Sequence, residues 1–140
     1  MKILFMCVAN SARSQLAEGL ARHILTPIFE IKSAGSYPAT LNSYAVKVMQ
    51  EIGLDISDHY SKSVKELPPE FTVGLNYIIT LCAEEVCPTM IAQNAKRLHW
   101  PFTDPATKEN LSEEELLNRF RQARNLISTE IEKFKIENKL

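Results

Sequence analysis

Cys7-Val8-Ala9-Asn10-Ser11-Ala12-Arg13-Ser14 follows the apolar run Ile3 to Met6 and precedes an amphipathic stretch. A strand that passes through a short turn into a helix, with Cys at one end of the turn and Arg at the other, reads as a nucleophile inside an anion cradle. Backbone N–H groups at a helix N-terminus converge and carry partial positive charge, which favours both a bound anion and an ionised sulfur. The planar fork of Arg13 grips two oxygens at once, which the point charge of a lysine does not. Ser14 is placed to offer a hydroxyl donor to the Cys7 thiolate, and Val8, Ala9, Asn10, Ser11, Ala12 and Arg13 form the expected cradle. A buried strand-end cysteine followed by an exposed arginine would have the same spacing, so the rest of the chain decides.

Working outward, apolar residues at 16, 17, 20, 21 and 24 predict a helix from Ser14 to about Leu25, halted before Pro27. Ile28 to Ser36 alternates as a strand. Asn42 to Ile52 is a second helix with Ala45, Val46, Met49 and Ile52 on one face and Gly53 as its terminator. Ser57 to Pro69 reads as a loop with a short helix around Val64 to Leu67. Tyr77 to Leu81 is a buried strand and Arg97 to Phe102 another. Ser112 and Glu115 form a capping box for a long last helix with the stripe Leu116, Phe120, Ala123, Ile127, Ile131 and Phe134. The alternation predicts an α/β fold: one domain over 1–140, a four-stranded parallel sheet flanked by helices.

A cysteine pair stands in Leu81-Cys82-Ala83-Glu84-Glu85-Val86-Cys87-Pro88, again after a strand end. In a parallel sheet the turns after the strands share the carboxyl edge, so Cys7 and Cys82 are expected to face each other there. Asp104-Pro105 closes a third such turn, and a carboxylic acid in that place can protonate a leaving oxygen. The chain has 140 residues, 45% apolar content and formal net charge -1. That suits one core and gives no electrostatic footprint for nucleic acid or an anionic membrane. The N-terminal apolar run is too short for a signal peptide or a membrane span, so a cytoplasmic location is expected. Three cysteines without a signal argue for thiol chemistry over a secreted disulfide framework. No second pair or nearby histidine completes a zinc set, and neither metal nor other cofactor is expected. His99 before Trp100 reads as a packed strand end, and His23 and His59 as equally ordinary; Tyr37 and Tyr44 either line the pocket mouth or, more simply, pack in a turn and a helix.

The chain resembles the thioredoxin-coupled arsenate reductases, which share a fold with low-molecular-weight protein tyrosine phosphatases. The resemblance spans nearly the whole chain: the Cys-to-Arg loop continuing as Ser14-Gln15-Leu16-Ala17-Glu18-Gly19, then Ser33-Ala34-Gly35, Gly53-Leu54-Asp55-Ile56-Ser57, Thr80-Leu81-Cys82, Cys87-Pro88, His99-Trp100 and Asp104-Pro105. Gln15 where phosphatases usually have Pro, the Cys82 and Cys87 pair, and Ala106 where they place an aromatic residue all favour the reductase. The resemblance implies strand order 2-1-3-4, a monomer, and a relay through redox-active Cys7, Cys82 and Cys87, with Arg13, Ser14 and Asp104 assisting. Arsenate is the implied substrate and thioredoxin the implied reductant, with a glutaredoxin and glutathione as the other candidate. A phosphatase using Cys7, Arg13 and Asp104 with Cys82 as redox guard is the alternative, and a non-enzymatic redox or oxyanion sensor a third.

Some members bind potassium through Asn, Glu, Ser and Asp. Asn10, Glu18 and Ser33 match here, and Lys62 stands at the acidic position. Either its ammonium replaces the cation and holds Asn10, predicting potassium independence, or it is a solvated lysine. Ala9 stands where glycine is usual, Ala12 where cysteine is common, and the interval from Cys82 to Cys87 is short for the family. On a regular helix, residues five apart lie roughly 8 to 9 Å apart at Cα, beyond the disulfide limit of about 7 Å. Residues 82 to about 96 are therefore expected to unwind on oxidation and present the disulfide to the reductant.

Overall fold

The computed structural model describes residues 1–25, 27, 29–82, 94–106 and 109–140. The N-terminal apolar run forms strand β1, Lys2–Cys7, in which every residue from Ile3 to Cys7 is buried. That is the pattern of a parallel strand covered on both faces. β1 pairs with β2 (Glu30–Gly35) on one side and β3 (Tyr77–Cys82) on the other, and β4 (Lys96–Phe102) lies outside β3. All three pairings are parallel and the order is β2-β1-β3-β4, the order implied by the resemblance. Pairing of Cys7 with Gly35, Met6 with Thr80 and Cys82 with Phe102 brings the carboxyl ends of the four strands to one edge. The turns carrying Cys7 and Asp104 start there, and Cys82 ends β3 at the same edge.

Helices α1 (Arg13–Ile24), α2 (Ser43–Gln50), α3 (Pro69–Val73) and α4 (Glu113–Glu137) cover both faces. Alternation along β1 sends Ile3 and Phe5 to one side and Leu4 and Met6 to the other. The first pair packs with Leu16 and Leu20 of α1, Val48 and Met49 of α2, and Phe120, Ile127 and Ile131 of α4. The second pair packs with Ile78, Leu67, Phe71 and Leu75.

The capping box forms as expected: Ser112 Oγ accepts from Glu115 N–H at 3.1 Å, and Ser112 N–H donates to Glu115 Oε1 at 3.4 Å. Within the buried stripe of α4 lies one cation, Arg124. Its Nη1 donates to the Val48 carbonyl at 2.7 Å and to Glu51 Oε1 at 2.9 Å, satisfying an orphan acceptor at the end of α2.

Several boundaries differ from the sequence reading. Asn42 is the cap of α2, its Oδ1 accepting from Tyr44 N–H at 2.8 Å. The buried face is Ala45, Val48 and Met49, while Ile52 is exposed in the turn closed by Gly53 at φ 79°. α3 was not anticipated, because Pro68-Pro69 reads as a breaker. Pro69 instead takes the first helical position, where its missing N–H costs no hydrogen bond. Most of the segment expected to unwind, including Cys87, lies outside the described residues, as does Ile28 at the expected start of β2.

Candidate active site

The loop joining β1 to α1 is held from outside by its carbonyls. Tyr37 N–H donates to the Val8 carbonyl, Ala39 N–H to that of Ala9 and Asn42 N–H to that of Ser11, each at 2.9 Å. The Asn10 carbonyl accepts from Ser61 Oγ at 2.6 Å and Gln15 Nε2 at 3.1 Å. In a planar trans peptide the N–H points opposite the carbonyl. Turning four successive carbonyls outward therefore turns the N–H groups of Ala9, Asn10, Ser11 and Ala12 inward, towards one centre. α1 begins at that centre without a side-chain cap, which leaves its first N–H groups for an anion.

Asn10 is the hub of the loop. Its φ is 49°, a left-handed conformation that Asn tolerates better than most residues. Ala9 is not left-handed, so the alanine in place of the usual glycine carries no such strain. Asn10 Nδ2 donates to Ser14 Oγ at 2.7 Å and Ser33 Oγ at 3.0 Å, and Oδ1 accepts from Gln15 Nε2 at 3.1 Å and Lys62 N–H at 3.0 Å. Ser14 Oγ in turn lies 2.9 Å from Cys7 Sγ. With Asn10 donating to it, the hydroxyl is oriented to give its own proton to the sulfur. Cys7 is buried and its thiol is free.

Behind this hub Glu18 gathers cations. Its carboxylate accepts from Ser33 Oγ at 2.8 Å and lies 3.3 Å from Arg22 Nη2, 3.3 Å from His59 Nδ1 and 3.7 Å from Lys62 Nζ. Lys62 is only 7% exposed, which sets aside the solvated reading. The grip on Asn10 comes from the Lys62 backbone N–H, while the ammonium reaches Glu18 and the Tyr60 carbonyl, the latter at 3.4 Å. Burial pushes the Lys62 ammonium below the usual lysine range and outweighs the upward pull of Glu18. The same balance holds the His59 imidazole below the usual histidine range.

β2 closes against the loop at Gly35. A Cβ there would stand 2.4 Å from the Val8 carbonyl oxygen and 3.0 Å from Asn10 N. Both contacts are backbone, so Gly35→Ala is expected to shift the cradle and cost about 1–3 kcal/mol. Urea unfolding together with phosphate affinity checks this, with both expected to fall.

Arg13 lies across the carboxyl edge with 4% exposure. Its Nη1 donates to the Phe102 carbonyl at 3.0 Å and to that of Leu81 at 3.5 Å, and its Nη2 lies 3.8 Å from Asp104 Oδ2. The guanidinium thus ties the loop to the ends of β3 and β4. The Asp104 side chain is 47% exposed, and Ala106 N–H donates to its Oδ1 at 3.0 Å. Cys82 is buried at the end of β3. Extending the register from the Met6 and Thr80 pair puts Cys82 one residue beyond the position opposite Cys7.

Some sequence readings need correction. His99 is exposed rather than packed, its Nδ1 2.7 Å from Thr80 Oγ1. Tyr37 is 80% exposed and packs no turn, whereas Tyr44 packs on Phe120 with ring centroids 5.7 Å apart. His59 does more than turn packing, since its Nδ1 also lies 3.1 Å from Gln15 Oε1. Neither His59 nor Ser61 carries a sequence signal, because both reach the hub from an irregular loop with no periodicity.

The chain that carries this cradle matches the family model "Low molecular weight phosphotyrosine protein phosphatase" over residues 2–139. The chain belongs to that family. Among its relatives is an arsenate reductase of Shouchella clausii, 40% identical over 134 residues that cover 94% of this chain and 93% of that one. A solved arsenate reductase in a phosphate-binding state superposes with a TM-score of 0.76 at 24% identity over 97% of each chain, a likeness of fold. A thioredoxin-dependent arsenate reductase of Corynebacterium glutamicum gives a TM-score of 0.62 at 26% identity, covering 94% of this chain and 61% of that one.

Proposed function

We propose that this chain reduces arsenate to arsenite, with Cys7, Cys82 and Cys87 as a thiol relay and thioredoxin as the reductant. The observation that carries the reading is the junction of the cradle with the end of β3: Arg13, which closes the anion loop, bonds the Leu81 carbonyl beside Cys82. A phosphatase would need the cradle, Cys7 and Asp104, but no thiol at the end of β3. The relatives named arsenate reductase and the thioredoxin-dependent neighbour support the substrate and the reductant.

The N–H groups of residues 9 to 12 and the Arg13 fork bind the oxyanion. Cys7 Sγ attacks arsenic while Asp104 gives its proton to the departing oxygen, which leaves as water. Cys82 then attacks Cys7 Sγ. The sulfur–arsenic bond breaks, its electron pair stays on arsenic, and arsenite departs as the Cys7–Cys82 disulfide forms. Cys87 attacks Cys82 and releases the Cys7 thiolate, and thioredoxin reduces the resulting Cys82–Cys87 disulfide by the same exchange. A glutaredoxin with glutathione is the competing reductant for that last step. The second reading is a low-molecular-weight phosphatase, favoured by the family model itself.

Arsenate-dependent NADPH oxidation with thioredoxin and thioredoxin reductase separates them. Turnover that is lost in Cys82→Ser and in Cys87→Ser supports the relay, and substituting glutaredoxin and glutathione identifies the reductant. If arsenate drives no turnover and p-nitrophenyl phosphate is hydrolysed without need of Cys82 or Cys87, the protein is a phosphatase.

Lys62 also bears on the cation question. Its ammonium faces Glu18 next to Ser33 and Asn10, so the reaction is expected to proceed equally in sodium and potassium salts at constant ionic strength. A clear rise in rate with potassium would contradict this.

A further inference from the structure

We infer that Arg119 is a positioning residue that sets the aim of Asp104, an inference that rests on the reading of Asp104 as the proton donor. The Asp104 carboxylate has only two partners among the described residues: the local Ala106 N–H, and Arg13 at the long distance of 3.8 Å. The first bond is local to the turn and the second is long, so neither ties the turn firmly to the rest of the fold. Pro105 is buried and Ala106 packs against the core, but beside the turn runs a groove of about 410 Å³ lined by Phe102, Asp104, Pro105, Arg119, Gln122 and Leu126, so the exposed Asp104 itself gains no packing on that side.

Arg119 spans the gap. From α4 its Nε donates to the Pro105 carbonyl at 3.1 Å and its Nη2 to the Asp104 carbonyl at 3.3 Å. One planar fork thus grips two consecutive carbonyls, which fixes the orientation of the intervening peptide and the direction in which Asp104 projects its side chain. A lysine ammonium lacks that fork. The platform is rigid, because the next residue, Phe120, is fully buried and anchors this turn of α4 in the core. Arg119 touches neither the cradle nor the sulfur, and it acts through Asp104.

A double-mutant cycle tests this, reading kcat/KM for arsenate with excess thioredoxin system. Because misplacement of a catalytic group by about 1 Å can cost about a hundredfold, Arg119→Ala is expected to lower kcat/KM by about tenfold. Arg119→Lys should recover part of that loss, and both variants should melt close to the native protein. In the Asp104→Asn background Arg119→Ala should cost nothing further. An equal loss in both backgrounds, or no loss beside native Asp104, overturns the inference. If Asp104→Asn alone loses nothing, Asp104 is not the acid and the reading beneath the inference fails with it. Should arsenate prove not to be a substrate, the same cycle on p-nitrophenyl phosphate keeps the test, since Asp104 has the same duty in the phosphatase reading.

Discussion

Cys7→Ser is expected to abolish arsenate-dependent NADPH oxidation, with a loss of at least about a thousandfold, while the fold and the affinity for inorganic phosphate persist. The reason lies in the division of labour at the cradle. In the proposed site the oxyanion is bound by Arg13 and by inward-turned N–H groups whose carbonyls are held by Tyr37, Ala39 and Asn42, and none of those bonds involves the sulfur. In the proposed relay only Sγ of Cys7 makes the bond to arsenic. A serine oxygen in its place is a far poorer nucleophile at neutral pH, and even an oxygen–arsenic adduct has no sulfur for Cys82 to attack. The electron pair then cannot reach arsenic. Calorimetric titration with phosphate beside the kinetic assay checks both halves, and residual turnover near the native rate would contradict the assignment.

Arg13→Lys is the second large effect. Among the described residues the guanidinium approaches the Phe102 and Leu81 carbonyls and Asp104, and a lysine ammonium cannot meet that geometry while also gripping the oxyanion. Loss of an aligned electrostatic donor is expected to lower kcat/KM by about a hundredfold to a thousandfold. Leaving the buried Leu81 carbonyl and the half-buried Phe102 carbonyl without this donor costs a further 1–3 kcal/mol or so in stability. Steady-state kinetics paired with urea unfolding reads both losses. A variant within threefold or so of native kcat/KM would mean that Arg13 holds the fold and not the substrate.

What the sequence discloses here, and what it conceals, follows from the range of the forces involved. β1 is legible because a run from Ile3 to Met6 ending in Cys7 has one reasonable place in a parallel sheet, whereas which strands flank it was implied by the resemblance and not by the pattern of residues. The long helix is legible because Ser112 and Glu115 announce its start and its stripe persists over many turns. The clustering of Cys7, Arg13 and Ser14 is local and legible for the same reason. α3 was hidden because a double proline reads as a breaker, although its second proline fits a first helical turn. Arg124 was hidden inside an apolar stripe, because its use depends on the Val48 carbonyl far away in sequence. The same holds for His59 and Ser61, which reach Asn10 and its partners across some fifty residues of chain. Lys62 could be placed near the hub from the resemblance, but the source of the grip on Asn10, backbone and not ammonium, required the fold.

The central claim is that the electrons for arsenate come first from the protein's own thiols. Fully reduced protein, freed of external reductant and mixed with an equivalent of arsenate, tests it in one turnover by counting free thiols and arsenite together. The chain holds three cysteines. One arsenite per chain is expected, with two thiols lost and one remaining. All thiols retained and no arsenite formed would contradict it.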